Sequence, residues 1–503
     1  MYKIASVLHG HRKQRSVTSS ALSNNFASME APFLPAKGGE KKHGGEESSV
    51  RSEVTRQLYL AGPLVAGYLL VNIVQVISLM FFGHLSKVEF AGASVATAFA
   101  AVTGFSLLAG MGSSLETLCG QAFGAGQYHV VGVYKQRAML VLAVVSVPLA
   151  AVWANAGEIL AWFGQDPEIA AAAGTYMRWL IPALFLFGQL HCHMLFLQTQ
   201  NVVVPVMLSS AAAAIAHPAV CWLLVCRLGL GSKGVALGIS VSYLLNVSIM
   251  ALYVRLSPSC KATWTGFSVE AFRDIPSFLK LAMPSALMIC MQWWVFNLLV
   301  LLSGLLPNPK FETTVLSICL HTVTLAVMAS LGLGAAVSTR VSNELGAGRP
   351  HAARLSTRVV MLLGFSVSAS EGIVLLLVRN LLGYAYSDDE EVASYTARLM
   401  PVLAVQILID GLQSILSGII RGSGRQKLGA IINLVSYYIV GIPAAFLFAF
   451  VCHIGGIGLW FGLICGVTVQ IFLLLSISLC TDWNNEASKA KERLFSSTLS
   501  VNI

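Results

Sequence analysis

Apolar residues along this chain gather into blocks separated by short stretches of charge, glycine and proline. Each block is about 20 to 28 residues long, the length at which a helix rising 1.5 Å per residue crosses ~30 Å of hydrocarbon. The pattern predicts twelve helical spans, at 57–82, 92–118, 136–157, 170–197, 202–226 and 235–256, then 276–306, 312–336, 354–378, 391–418, 428–450 and 456–480. The expected fold class is an all-α membrane protein, because a helix satisfies its own backbone hydrogen bonds in lipid.

Composition supports the same solvent. Of 503 residues, 56% are hydrophobic and only 11% charged, against roughly 25% charged in an average soluble protein. The formal charge of +9 does not point to nucleic acid, because Lys and Arg sit between the apolar blocks rather than in a basic patch interleaved with aromatics. Residues 1–50 are polar and contain no apolar run of signal-peptide length. The stretch Lys37 to Glu47 holds only Lys, Gly, Glu and His and predicts disorder. The ten cysteines form no CxxC or Cys/His metal spacing, and several fall inside apolar blocks, where they read as small core residues.

With the N-terminus placed in the cytoplasm, 25 of the 32 Lys and Arg residues fall on the cytoplasmic side, and 16 against 7 remain when the N-terminal tail is left out. The positive-inside bias therefore predicts that both termini are cytoplasmic. The chain also repeats at a period near 220. Leu60-Ala61-Gly62-Pro63 returns as Leu281-Ala282-Met283-Pro284, and Phe123-Gly124-Ala125-Gly126 as Leu345-Gly346-Ala347-Gly348. Tyr176, Leu180 and Pro182 return as Tyr395, Leu399 and Pro401; Pro218-Ala219 returns as Pro443-Ala444, and Gly234 to Leu237 as Gly456 to Leu459. Each half has six spans, so both halves enter the membrane in one orientation and are related by an axis along its normal, as in transporters whose halves rock about a central site. The expected organisation is a disordered cytoplasmic tail (1–54), an N-lobe (55–256), a cytoplasmic linker (257–275), a C-lobe (276–480) and a cytoplasmic C-terminal tail (481–503).

Several motifs resemble the plant branch of the multidrug and toxic compound extrusion (MATE) transporters: Glu116 to Gln127, Gln136 to Met139, Tyr176 to Pro182, Leu197 to Gln200, Leu301 to Asn308, Arg340 to Gly348 and Gly418 to Gly424. They cover residues 55–480 in family order. The resemblance implies two six-helix lobes around a V-shaped cavity and an antiporter, not an enzyme, that expels organic compounds in exchange for protons, with sodium as the alternative ion. It further implies alkaloid-, flavonoid-, hormone-, organic-acid- or xenobiotic-like substrates, residence in the vacuolar or plasma membrane, no cofactor, and function as a monomer in lipid.

Ion coupling needs a group that changes charge at mid-membrane, and carboxylates there are rare and costly. Asp410, near the middle of the tenth span, is the coupling candidate, with a structural carboxyl as the plainer reading. The family likewise carries an acid at this point. Where relatives read Cys-Leu-Glu-Trp-Trp in span seven, this chain reads Cys290-Met291-Gln292-Trp293-Trp294, and Asn297 stands at a second commonly acidic position. Neither amide titrates. Asn72 and Gln75 on span one, together with Gln292, Trp293, Asn297, Gln413 and Tyr437, are candidates to line the cavity and hold substrate. Tyr68, Trp294 and Tyr438 are further aromatic surfaces for flat or cationic solutes, or simple packing residues. Glu116 and Glu344, at the ends of spans two and eight, are read as gate or helix-end groups, Glu116 with Lys135 or Arg137 as its partner. Glu371, His191 and His193 are ionisable groups inside spans, with helix packing the alternative for the histidines. Pro63, Pro182, Pro284 and Pro401 are hinge or static-kink positions. The glycine motifs lack the Gly-Lys-Ser/Thr tail of a phosphate loop, so an ion gradient rather than ATP is the expected energy source. A flippase of a lipid-linked substrate shares the two-lobe architecture and is the alternative function.

Overall fold

The computed structural model describes residues 50–386 and 390–501. The predicted tail therefore lies outside the described residues except for 50–54, which are helical. Twelve helices are long and apolar enough to cross a membrane, and the number agrees with the hydropathy pattern. They are α1 (Val50–Gly83), α2 (Lys87–Gly124), α3 (Tyr128–Ala154), α4 (Pro167–Thr199), α5 (Val204–Arg227), α6 (Ser232–Leu256) and α7 (Ile275–Ser303). The rest are α8 (Pro309–Gly346), α9 (Pro350–Tyr386), α10 (Glu390–Ser423), α11 (Gln426–Val451) and α12 (Gly456–Leu479). No strand occurs among the described residues. A thirteenth helix, α13 (Trp483–Val501), occupies the segment expected to be a tail. It is too polar to span; instead it buries Trp483, Ala490 and Leu494 against the bundle.

Local sequence explains the helix ends. Asp166 caps α4 by accepting from the amides of Glu168 (2.9 Å) and Ile169 (3.2 Å), with Pro167 in the first turn. Gly126 and Gly348 close α2 and α8 at positive φ (73° and 69°), a backbone region that favours glycine. There Gln127 N donates to Ala122 O (2.9 Å) and Arg349 N to Glu344 O (2.9 Å). The four proposed hinge prolines all sit inside continuous helices. The marked departures from α geometry lie elsewhere: π-type turns at 222–227 and 447–451 follow Pro218 and Pro443, and further π-type turns occur at 101–105 and 434–441.

The first six helices pack among themselves (α4 with α2, α3 and α6; α5 with α1 and α6), and so do the last six, with α10 held between α8, α9 and α12. The halves meet through α1 with α8, α2 with α7, and the ends of α2 and α8. We call the end where α1 and α7 begin the base. There the sequence repeat becomes a physical symmetry. Gly124 meets the backbone of Asn343, and its counterpart Gly346 meets that of Gln121, the counterpart of Asn343. Gly110 lies against Ala286 while Gly332 lies against Val65, again an exchanged pair. Glycines at these positions let helix backbones touch, which any side chain would prevent. Toward the other end the halves keep separate apolar cores, one centred on Phe82, Ala96, Trp153 and Tyr176, the other on Val295, Leu316, Leu403 and Trp460.

Candidate functional site

The site is built around the segment Gln406–Gln413 of α10. Asp410 is 5% exposed, and Gln406 Nε2, one turn earlier on the same helix, donates to its Oδ2 at 2.7 Å. Gly411 beside it has no side chain, which admits the hydroxyls of Ser330 on α8 and Ser368 on α9; these bond each other at 3.0 Å. Among the described residues, no Lys, Arg or His is paired with Asp410. Tyr437, fully buried, lies within electrostatic reach of Asp410, and its hydroxyl makes no hydrogen bond of standard geometry.

Amides extend the polar interior one turn further. Gln413 Nε2 donates to Ser417 Oγ (2.8 Å), and Gln413 Oε1 accepts from Gln292 Nε2 of α7 (3.2 Å). Thus Gln292, which stands where the resemblance implies an acid, touches α10 within one turn of Asp410. Asn433 donates to Met288 O (2.7 Å) and accepts from Gln470 (2.6 Å), which ties α7, α11 and α12 together behind this cluster. Gln292, Gln413, Tyr437 and Asp410 are therefore gathered in one region. Asn297 instead turns back to the carbonyl of Trp293 (2.9 Å) on an exposed face, and Trp293 is also exposed. Trp294 donates its indole N–H to Val102 O (2.9 Å) and Tyr438 its hydroxyl to Met291 O (3.2 Å), so both carry inter-helix bonds. Asn72 and Gln75 are half-buried on α1, and Gln75 reaches Tyr243 Oη at 3.4 Å. His191 stacks on Phe187 (6.0 Å between centroids) and His193 bonds Gln189 O (2.8 Å), in keeping with helix packing. Glu371 is half-buried on α9, with Oε2 buried and unbonded.

The base holds the ionic groups. Glu116 pairs with Arg421 of α10 at 3.0 Å. This corrects the expected partnership with Lys135 or Arg137, which face the linker instead. Lys135 Nζ is buried between the rings of Phe196 (4.5 Å) and Trp264 (4.3 Å), where ring quadrupoles replace water around the ammonium. Arg137 reaches Glu270 O (3.3 Å) and Asp274 (4.0 Å), and Gln136 between them exchanges hydrogen bonds with Gly266 O and Ser268 N, both 2.8 Å. Glu344 pairs with Arg340 (2.8 Å) and Arg349 (2.7 Å). Arg340 also grips Glu53 of α1 at 2.9 Å, and Ser356 Oγ donates to Glu53 at 2.6 Å. The repeat is visible here too: Thr117 of α2 bonds the carbonyl of Arg421, and Thr339 of α8 bonds Gln198 of α4 (3.2 Å). Arg493 of α13 donates to Gln121 Oε1 (3.0 Å) and Ser423 O (3.4 Å), bridging α2 and α10. Sequence reasoning assigned no role to Glu53, Arg340, Arg421 or Arg493. Arg340 and Arg421 carry a signal, a charge near a helix end within a family-like motif, whereas Glu53 and Arg493 carry none.

Twelve spans, two matched halves joined at a base and an acid enclosed in one of them define a polytopic transporter fold. The family model MatE matches residues 63–223 and again 284–447, once in each half. The chain belongs to the MATE family of transporters. It is 53% identical over 454 residues to Protein DETOXIFICATION 16 of Arabidopsis thaliana, covering 90% of this chain and 93% of that one. It is 49% identical over 452 residues to Protein DETOXIFICATION 17 of the same plant, covering 89% and 94%. It superposes with TM-score 0.85 on the crystal structure of the eukaryotic MATE transporter AtDTX14, at 42% identity, covering 88% of this chain and 99% of that one.

Proposed function

We propose that this transporter is a secondary antiporter that moves organic solutes out of the cytosol in exchange for protons, its two halves alternating about the polar interior. The observation that carries this reading is Asp410, a carboxyl at mid-span with one amide donor and no cation partner among the described residues. A carboxyl with no fixed counter-charge gains or loses a proton when its surroundings change from dry to wet, and it trades that proton against a ligand that approaches it. The charge bias supports a cytoplasmic base, and with that orientation a closed base corresponds to a transporter shut toward the cytosol. Substrates of the alkaloid, flavonoid or organic-acid type fit a region lined by amides, hydroxyls and aromatic rings and poor in fixed charge. The relatives' name, DETOXIFICATION, fits the same direction of movement.

The test is uptake of a fluorescent organic cation into vesicles containing the purified protein, with proton and sodium gradients imposed separately. Proton-driven accumulation against the cation's gradient is the expected outcome. Movement driven only by sodium overturns the choice of ion, and movement under neither gradient overturns antiport.

A further inference from the structure

The first six helices hold no Asp or Glu inside their predicted spans except Glu116 at the base. Where α1, α5 and α6 meet, however, His217 of α5 is fully buried with both ring nitrogens engaged. Nε2 lies 2.9 Å from Ser78 Oγ of α1, and Nδ1 lies 2.8 Å from Ser242 Oγ of α6. Cys221, one turn along α5, has its sulfur 3.4 Å from Nε2.

One neutral tautomer satisfies both serines at once. Ser78 Oγ gives its own hydrogen to Val74 O (2.9 Å), so it accepts from Nε2–H of the ring. Nδ1 of the neutral ring is then an acceptor, and Ser242 donates to it. A hydroxyl suits either state of that nitrogen. A carboxylate there would hold the ring charged, whereas a second backbone donor would hold it neutral. Ser242 can turn over, accept from Nδ1–H and send its own hydrogen to the carbonyl of Gly238 one helical turn earlier, a bond open to any serine in a helix. The bare backbone of Gly238 makes room for this corner, since a side chain there would run into Cys221 Sγ. The Gly238 carbonyl also lies within hydrogen-bonding reach of the ring.

The titratable groups around the ring are Cys221 on α5, Tyr243 on α6 beside Ser242, and Tyr176 on α4, which acts on both of them; α1 contributes only Ser78, Gln75 and Asn72. No Asp, Glu, Lys or Arg is paired with His217 among the described residues. From Ser78 the polar positions of α1 continue through Gln75, bonded to Tyr243, to Asn72, and these two amides are only half-buried.

We propose that His217 is a second proton-carrying group of the transport cycle, placed in the opposite half of the molecule from Asp410. It takes one proton at Nδ1, forming an N–H bond while Ser242 changes from donor to acceptor, and returns it when the half containing α1 changes its exposure. The proton comes from a hydronium ion, whose O–H bond breaks as the N–H bond forms, and it goes back to water on release. Because Ser78 belongs to α1 and Ser242 to α6, the charge on the ring bears on how α1 sits against its own half. The proposal rests on the proton-exchange reading above, and its experiment separates the two.

The full-length protein is reconstituted and uptake of a fluorescent organic cation is followed across about pH 5 to 8, the range in which histidine titrates. The variants are His217→Gln, Ser242→Ala and Asp410→Asn. His217→Gln keeps an amide for Ser78 but cannot carry charge. It is expected to lose one inflection of the pH profile and to release fewer protons per substrate bound, while Asp410→Asn removes the other inflection. Ser242→Ala leaves the ring in place without its convertible partner and is expected to displace the inflection that His217→Gln abolishes. Histidine-labelled protein read by NMR supplies a signal independent of transport: the resonance absent from His217→Gln should titrate in the wild type. An unchanged pH profile and proton count in His217→Gln, or a His217 resonance that stays neutral throughout, overturns the proposal and leaves the ring a structural pin. If neither the wild type nor any variant releases protons on binding substrate, proton exchange itself fails, a different outcome.

Discussion

The base and the region around Asp410 are built from the same helices by opposite rules. At the base, carboxylates are matched to guanidinium groups: Glu53 with Arg340 and Glu116 with Arg421 across the two halves, and Glu344 with Arg340 along α8. Helix backbones touch there through Gly124 and Gly346. Around Asp410 the carboxyl has a single amide donor, and Gln406 Oε1 and Ser414 Oγ are buried without a hydrogen-bond partner. Satisfied pairs define one geometry and resist change. Unused hydrogen-bonding capacity costs stability, and it is retained where a ligand or ion completes it. The contrast teaches that carboxylates are paired with fixed charges at one end of this transporter, while Asp410 in its interior is paired with none among the described residues.

Four substitutions press on that contrast, taken in order of effect. Asp410→Asn should reduce gradient-driven transport to background while leaving the thermal unfolding temperature nearly unchanged, because the amide still accepts from Gln406; wild-type transport by this variant would remove the residue from coupling. Arg340→Met should do the reverse and cost stability first. It leaves Glu53, 0% exposed, without its counter-charge, and breaking a buried pair costs about 3–5 kcal/mol. The measurement is thermal unfolding, with partial recovery in the double variant Glu53→Gln/Arg340→Met. A base that tolerates the single change would show that its ion pairs do not hold it.

Gly124→Val should be next, since the new side chain collides with the backbone of Asn343, and overpacking of this kind costs about 1–3 kcal/mol. Cysteines introduced into α2 and α8 beside the crossing should then crosslink more slowly than in the parent. Arg349→Ala should be the smallest. Arg349 pairs with Glu344 but is 65% exposed, and such pairs are worth about 0–1 kcal/mol. A loss as large as that of Arg340→Met would erase the distinction between buried and exposed members of one network.

The interior can also be sharpened by addition. Gln292→Glu places an acid against Gln413, within one turn of Asp410. Transport should become more strongly pH-dependent, and an unchanged profile would show that Asp410 does not sense this position.

The number of spans, the repeat and the presence of a carboxyl within span ten were legible in the chain itself, because each depends on properties that survive without a partner. A stretch apolar enough to enter lipid has only one way to satisfy its backbone, and a carboxyl inside such a stretch stands out in any context. The repeated Gly-Ala-Gly motifs were equally visible, but what each glycine does was not. Gly126 and Gly348 close helices, while Gly124 and Gly346 bring two helices into contact.

Partnerships were decided by the tertiary structure. Glu116 is nearer in sequence to Lys135 and Arg137 than to Arg421, yet the folded chain delivers Arg421 to it and turns the other two toward the linker. Gln292 looked like a lost acid and proved to be a bridge to Gln413. His217 was one histidine among eleven until α1 and α6 each brought it a hydroxyl. The physical reason is the same in each case. Solvation by lipid is a property of a segment and is written in its composition, whereas pairing between polar groups depends on distances of a few ångströms between segments far apart in the chain, and only the packed bundle sets those.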